Sequence, residues 1–123
     1  MALLTYAPPV PWYLEVAKTA SYTVLATDQG TLFTNAGAGG AVTFTLPTRQ
    51  AGLCYWFQAQ AAQNLIISSA AGTDIVCTGN AGASNINYTV IGQIIGALCR
   101  LVCNAAGTLW YFSTESKNAV TFS

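Results

Sequence analysis

The sequence predicts an all-β fold: an antiparallel β-sandwich or jelly roll of about eight to ten short strands, preceded by an extended N-terminal arm. Three observations lead to this prediction. From Ser21 onward, short runs of alternating apolar and polar residues recur at roughly ten-residue spacing, with turn residues between them. No stretch has the apolar spacing of a long amphipathic helix. The length of 123 residues is that of one domain. We therefore expect an arm over residues 1–20 and a single β domain over residues 21–123.

The predicted arm differs in composition from the rest of the chain. It carries three of the four prolines, which fix φ, remove backbone donors and favour an extended path. It also holds more apolar and aromatic side chains than a solvated tail keeps. We expect the arm to lie either on its own domain or on a neighbouring protein. The candidate contact residues are Leu4, Tyr6, Pro8, Pro9, Pro11, Trp12, Tyr13 and Leu14.

The first strands of the domain follow from local alternation and turn chemistry. The run "SYTVLA" places Tyr22 and Val24 on one face of a strand. In "TDQG", Asp28 and Gly30 are typical turn formers, because the Asp side chain hydrogen-bonds nearby backbone and Gly accepts positive φ. The next run, "TLFT", is short and apolar enough for a second strand.

The glycines of "TNAGAGGAVTF" indicate a turn between strands rather than a phosphate-binding loop. A P-loop needs Lys and Ser or Thr directly after its glycines, whereas Gly40 is followed by Ala41 and Val42. A dinucleotide-binding fingerprint opens a helix, but the residues that follow here alternate as a strand. In that strand Val42, Phe44 and Leu46 are expected to point inward.

The second half of the chain reads as further strands. We expect a hairpin between "GLCYWFQAQ" and "LIIS", and a clearer one within "GALCRLVCNAAGTLWYFST" around a short Ala-Ala-Gly loop. The final "AVTFS" is expected either to add an edge strand or to pair with another subunit. The predicted core residues are Tyr22, Val24, Phe44, Leu46, Tyr55, Phe57, Ile86, Tyr88 and Trp110.

The composition limits the classes of partner. Only 7% of the residues are charged and the formal net charge is zero, whereas about 25% of a typical domain is charged. The four basic residues are scattered, so we expect no nucleic-acid partner. We also expect no membrane partner, since no basic patch and no apolar run of spanning length is present. A surface this uncharged indicates either a chain covered by other chains or a neutral secreted β domain.

No catalytic residue is predicted, and we do not expect an enzyme. The chain has no His, so Ser-His-Asp and Cys-His sites cannot form. Its carboxylates are Glu15, Asp28, Asp74 and Glu115. Because Asp28 and Asp74 lie in turn-like sequences, their expected role is to stabilise turns rather than to form a glycosidase pair. No cofactor is expected.

The four cysteines are expected to be buried and reduced, and no metal site is predicted. Cys99 and Cys103 lie four apart in one strand, which separates them by about 13 Å and prevents a disulfide without a bend. A zinc site of the Cys2His2 type is excluded by the absence of His. The N-terminal sequence lacks the basic start and apolar region of a secretion signal. Reduced thiols are typical of folding in a cytoplasm.

Sugar binding is the other use that the sequence suggests for its aromatic residues. Trp12, Trp56 and Trp110 are large flat side chains, and Asn, Gln and Thr supply hydrogen-bonding groups. Aromatic residues at alternate strand positions are more often core residues. In "LWYFS", Trp110 and Phe112 share one face of the strand and Tyr111 lies on the other, so one of the two faces is exposed or in an interface.

Residues 21–113 resemble a β-rich module of tailed-phage virion proteins. The resemblance lies in a series of features along the chain. It starts with a Tyr-x-Val strand, an Asp-x-Gly turn, a Phe-Thr strand and a Gly/Ala turn. It continues with "VTFTLP", with Gly-Leu followed by an aromatic strand, and with a terminal "GTLWYFS". Such modules occur in small capsid decoration proteins and in head and tail fibres. They tend to be sandwiches or jelly rolls and commonly assemble as trimers.

The resemblance implies a structural virion protein. The first interpretation is a capsid decoration, or cement, protein. Such a protein is expected to be a homotrimer that binds the major capsid protein on the outside of a phage head and stabilises the head. Its expected location is the virion, assembled in the host cytoplasm. The alternative is a receptor- or glycan-binding module of a head or tail fibre. The sequence departs from a fibre because it has no long repeat and no coiled-coil segment.

Overall fold

The computed structural model describes residues 12–123, and its regular structure is almost entirely β. Within this range lie twelve strands and a single-turn 3₁₀ helix at Ala26–Asp28. The strands are β1 Leu14–Ala17, β2 Tyr22–Thr23, β3 Thr31–Thr34, β4 Val42–Thr45, β5 Cys54–Gln58, β6 Leu65–Ser68, β7 Ile75–Cys77, β8 Asn80–Ala83, β9 Asn85–Tyr88, β10 Leu98–Cys103, β11 Trp110–Thr114 and β12 Thr121–Phe122. The all-β fold predicted from the sequence is confirmed.

The strands form two sheets that face each other across one core. The seven-stranded sheet has the order β1-β3-β5-β10-β11-β7-β8, and the five-stranded sheet has the order β12-β9-β6-β4-β2. Phe33 and Phe57 of the first sheet contact Phe44 of the second, with ring centroids 5.3 and 5.2 Å apart. Alternating inward side chains from both sheets therefore build the core of a β-sandwich.

Both sheets are mixed, which corrects the expectation of an antiparallel sandwich. Strands β1, β3 and β5 are parallel in one sheet, and β2, β4 and β6 are parallel in the other. From β1 to β6 the chain alternates between the two sheets. Each of these strands therefore begins at the same end of its sheet as the preceding strand in that sheet, and the two run in the same direction. The predicted hairpin of β5 with β6 is wrong for this reason, because these strands lie in different sheets.

The antiparallel pairs include the hairpin that the sequence indicates most clearly. Strands β10 and β11 pair from Cys103 with Trp110 onward. Gly107 in their loop has φ +68°, and the Asn104 side chain accepts a hydrogen bond from the Thr108 amide at 2.8 Å. At the C-terminus, β12 pairs with β9 as an edge strand of its own sheet. This was one of the two alternatives for that segment.

The core matches the sequence prediction at eight of nine positions. Tyr22 is the exception: it is half-buried, and its hydroxyl donates to the Asp28 carboxylate at 2.8 Å. The fully buried members of the predicted set are Val24, Phe44, Leu46, Tyr55, Phe57, Ile86, Tyr88 and Trp110.

The last part of the predicted arm lies in the sandwich. Residues 14–17 form β1, the edge strand of the seven-stranded sheet, and Val16 packs against the core. The β domain therefore begins before Ser21. Residues 1–11 lie outside the described part of the chain.

Candidate interaction surfaces

The first candidate surface is the start of β1, where three of the predicted arm residues lie together. The Tyr13 amide donates to the Gly30 carbonyl at 2.9 Å, which continues the pairing of β1 with β3. Trp12 packs edge to face against Trp56, with 6.2 Å between ring centroids. Tyr13 is 93% exposed and Leu14 58% exposed. The backbone is thus anchored while two apolar side chains remain open to solvent.

Gly30 makes this close approach possible. It has φ +80°, and a Cβ added to it would lie 2.6 Å from Cδ2 of Tyr13. Its amide also donates to the Cys54 carbonyl at 2.9 Å, so the same residue connects the starts of β1, β3 and β5. Any larger residue would both strain the backbone and displace the Tyr13 ring.

The second candidate surface is the outward face of the seven-stranded sheet, here called the outer face. Arg100 lies in β10 between Trp56 of β5 and Ser113 of β11. In the next row, Val102 lies between Cys54 and Tyr111. The outer face therefore combines tryptophan, tyrosine, arginine and small apolar side chains, and Tyr111 is 49% exposed.

Arg100 is the unpaired cation of this surface. Its Nε is buried and has no hydrogen-bond acceptor among the described residues. The one ion pair found over residues 12–123 joins Arg49 to Asp74 instead. The charge of Arg100 lies close enough to lower the pKa of the Cys54 thiol, although burial has the larger effect and raises that pKa overall.

The third candidate surface is a cleft of about 360 Å³ at the opposite end of the strands from Tyr13. Two loops form it, one around residues 59–64 and the other over residues 90–97. The lining residues are Ala41, Ala62, Gln63, Asn64, Ile91, Gly92, Ile94 and Ile95. No charged side chain is among them.

Two buried or half-buried asparagines hold these loops in place. The Asn35 carbonyl oxygen accepts from the amides of Gln60 and Ala61 at 2.7 and 2.9 Å. Its side-chain NH₂ donates to the carbonyls of Ala61 and Gln63 at 3.3 and 3.4 Å. Asn118 holds the second loop, donating to main-chain carbonyls in it at 2.8 and 3.1 Å. Both walls of the cleft are therefore fixed by side chains from elsewhere in the chain.

Asp28 and Asp74 each lie beside a partner group, although neither buried oxygen of Asp74 has a hydrogen bond among the described residues. Asp28 accepts from the Tyr22 hydroxyl at 2.8 Å and from the Leu25 amide at 2.9 Å, which closes its turn as predicted. Asp74 is buried, and its carboxylate lies 3.3 Å from the Arg49 guanidinium. The sequence suggested a turn role for Asp74 but not this ion pair, because Arg49 is distant along the chain. No group of three or more metal-ligating side chains occurs over residues 12–123.

The four cysteines are free thiols. Cys77, Cys99 and Cys103 are buried, as predicted, while Cys54 is half-buried on the outer face. Burial raises the pKa of the Cys99 thiol to about 12. The buried thiols are therefore protonated at neutral pH and poorly nucleophilic.

The described part of the chain contains no helix that is long and apolar enough to span a membrane. Neither protein-family models nor curated protein sequences match this chain.

Of the predicted contact residues, the structure brings Trp12, Tyr13 and Leu14 to one edge. The others, Leu4, Tyr6, Pro8, Pro9 and Pro11, lie outside the described residues. Sequence reasoning missed the cleft and Arg100. For the cleft, a partial signal was present in "VIGQIIGAL", where Gly92 and Gly96 flank Ile94 and Ile95 and mark a loop rather than a strand.

Proposed function

We propose that this chain is a structural protein of a phage particle: a capsid decoration protein that binds the outer surface of the head as a homotrimer and stabilises it. The observation that carries the proposal is the anchored edge at Trp12 to Leu14. There the backbone is hydrogen-bonded to the domain while Tyr13 and Leu14 stay exposed. The apolar, Pro-rich sequence of residues 2–11 continues from this edge. An arm attached in this way can bind a neighbouring protein without unfolding the sandwich.

The outer face supports the same proposal. Tryptophan, tyrosine and arginine are the residues enriched in the energetically dominant positions of protein interfaces. Trp56, Tyr111 and Arg100 lie on this face, and Trp12 of the arm packs against Trp56. In the proposed mechanism, the arm and the outer face together bury neutral apolar surface against the major capsid protein.

Glycan binding by a fibre module is less well supported. Trp110 is buried, and Trp12 and Trp56 pack against each other. Trp110 therefore presents no indole face on which a sugar could stack.

The test is removal of residues 2–11, which leaves Trp12 and β1 in place. Expanded shells of the major capsid protein from the same phage are the binding partner. Burying an apolar side chain contributes about 1.5–3 kcal/mol, so docking two or three from the arm supplies several kcal/mol, partly offset by ordering. We expect the truncated protein to bind shells at least roughly tenfold more weakly.

Its melting temperature serves as the control. Because the twelve described strands and the described core lie within residues 14–122, the truncated protein should melt as the full chain does. A second truncation of residues 2–17 removes β1 and should lower the melting temperature, since Val16 packs on the core. Equal shell binding by the full chain and by the first truncation would contradict the proposed role of the arm.

A further inference from the structure

The β7–β8 hairpin has few connections to the rest of the sandwich. Strand β8 is the edge of the seven-stranded sheet and pairs with β7, and β7 pairs with β11 over only two residue pairs, Ile75 with Trp110 and Val76 with Tyr111. The other neighbouring strands of this sheet, outside the hairpin, share three to five residue pairs. Segments held by few backbone bonds are the ones that open locally while the rest of a protein stays folded.

Asp74, directly before β7, is a buried carboxylate at the base of this hairpin. It is 5% exposed, and neither of its carboxylate oxygens has a hydrogen-bond donor among residues 12–123. The group beside it is the Arg49 guanidinium, with Nη1 3.3 Å from Oδ2. An ionised carboxylate in such a position is strongly destabilising unless an opposite charge lies next to it. The stability of the closed hairpin therefore depends on Arg49.

Arg49 connects the hairpin to two other segments. It lies in the connection from β4 to β5, and its Nη1 also donates to the Thr108 carbonyl in the β10–β11 loop. Within the described range 12–123, no other polar side-chain contact joins residues 74–83 to the rest of the chain. The main chain adds a bond from the Trp110 amide to the Asp74 carbonyl at 2.8 Å. A chain with only four acidic and four basic residues thus places one of each at this junction.

We propose that Arg49 acts as a latch for the β7–β8 hairpin, residues 75–83: its guanidinium neutralises the buried Asp74 carboxylate and thereby keeps the hairpin closed against β11. Without the guanidinium, the uncompensated charge favours an open hairpin, in which the carboxylate reaches water. Opening removes Ile75 and Ala83 from the core and uncovers the edge of β11. Because a free strand edge can pair with another chain, the latch also protects the sheet from association at this edge. The inference goes beyond the proposed function and does not depend on it.

The test is native-state hydrogen exchange of the full chain, measured for single amides by NMR without shells. We expect Arg49→Gln to speed exchange in β7 and β8 at least roughly tenfold, while exchange in β10, at the centre of the sheet, changes little. The Arg49 side chain is 32% exposed, so solvent screening keeps the expected effect below that of a fully buried pair. Lys117→Gln is the matched control, because it removes one positive charge from an exposed residue and should exchange as the native chain does.

A double variant, Arg49→Gln with Asp74→Asn, separates the effect of charge from that of packing. It removes the buried charge as well, so exchange in β7 and β8 should return to within about threefold of the native rate. Exchange as fast as in Arg49→Gln alone would overturn the inference. So would native exchange of β7 and β8 in Arg49→Gln, or equal acceleration in β7, β8 and β10. If Arg49→Gln does not fold, a folded double variant supports the latch and an unfolded one contradicts it.

Discussion

Asn35 makes four hydrogen bonds from a fully buried position, and its replacement should be among the most destabilising polar substitutions in the chain. In Asn35→Ala, the amides of Gln60 and Ala61 lose the acceptor that they share at 2.7 and 2.9 Å. Each donor that loses its acceptor at this part-buried site costs up to about 1–3 kcal/mol. The two donated bonds, at 3.3 and 3.4 Å, are longer and contribute less.

The expected loss of unfolding free energy for Asn35→Ala is about 2–4 kcal/mol. For a domain of this size, each kcal/mol lowers the melting temperature by on the order of 4 °C, so the expected decrease is about 8–16 °C. Thermal and urea unfolding followed by circular dichroism measures it. Native and variant proteins are compared at equal chain concentration, because self-association makes the melting temperature depend on concentration.

Two further variants test whether the loss of stability comes from the buried hydrogen bonds of Asn35. Asn87→Ala removes hydrogen bonds of 3.3 and 3.2 Å at an exposed site, where water can replace them, and should cost less than about 1 kcal/mol. Asn35→Asp keeps the oxygen that accepts from the amides of Gln60 and Ala61. Its second carboxylate oxygen, however, faces the carbonyl oxygens of Ala61 and Gln63, to which the Asn35 NH₂ group donates. Its deficit relative to the native chain should shrink at about pH 4, where a protonated carboxyl can donate. An Asn35→Ala variant as stable as Asn87→Ala would refute the reasoning.

Two other predictions test the first candidate surface and the buried ionisable groups. Gly30→Ala should cost more than Gly52→Ala and should weaken shell binding. The two glycines have similar φ, +80° and +84°, but an added Cβ would meet the Tyr13 ring at Gly30 and nothing within 4 Å at Gly52. Equal melting temperatures and equal shell binding would contradict this. Stability should also fall in alkali. Burial raises the pKa of Tyr55 and of Cys99 to about 12 each, so the unfolded chain ionises first. The contribution of these two groups to the unfolding free energy is fully present below about pH 9. It is lost as the pH rises toward 12, by up to about 1.4 kcal/mol per pH unit for each group. A flat stability profile over that range, measured by urea unfolding, would exclude this linkage.

Part of the candidate sites could be predicted from the sequence. Trp12, Tyr13 and Leu14 were selected because prolines and aromatic residues coincide there, and the structure places all three at one sheet edge. The glycines of "VIGQIIGAL" mark a loop, but the cleft itself could not be predicted, because its other wall comes from residues 62–64, which are distant along the chain. Ile91 and Ile95 follow an alternating run, and local pattern does not distinguish an apolar residue in a strand from one exposed on a loop.

The sequence by itself determined the all-β class, the inward and outward faces, and the β10–β11 hairpin. These features depend on a period of two residues and on turn chemistry, both of which are local. For the other strands, only the tertiary structure decided which of them pair. The alternation of β1 to β6 between the sheets, the parallel pairs that result, and the burial of Asn35 against residues 60–63 all depend on contacts between segments distant along the chain. Such contacts leave no local signal, because a strand has the same residue pattern whichever sheet it joins.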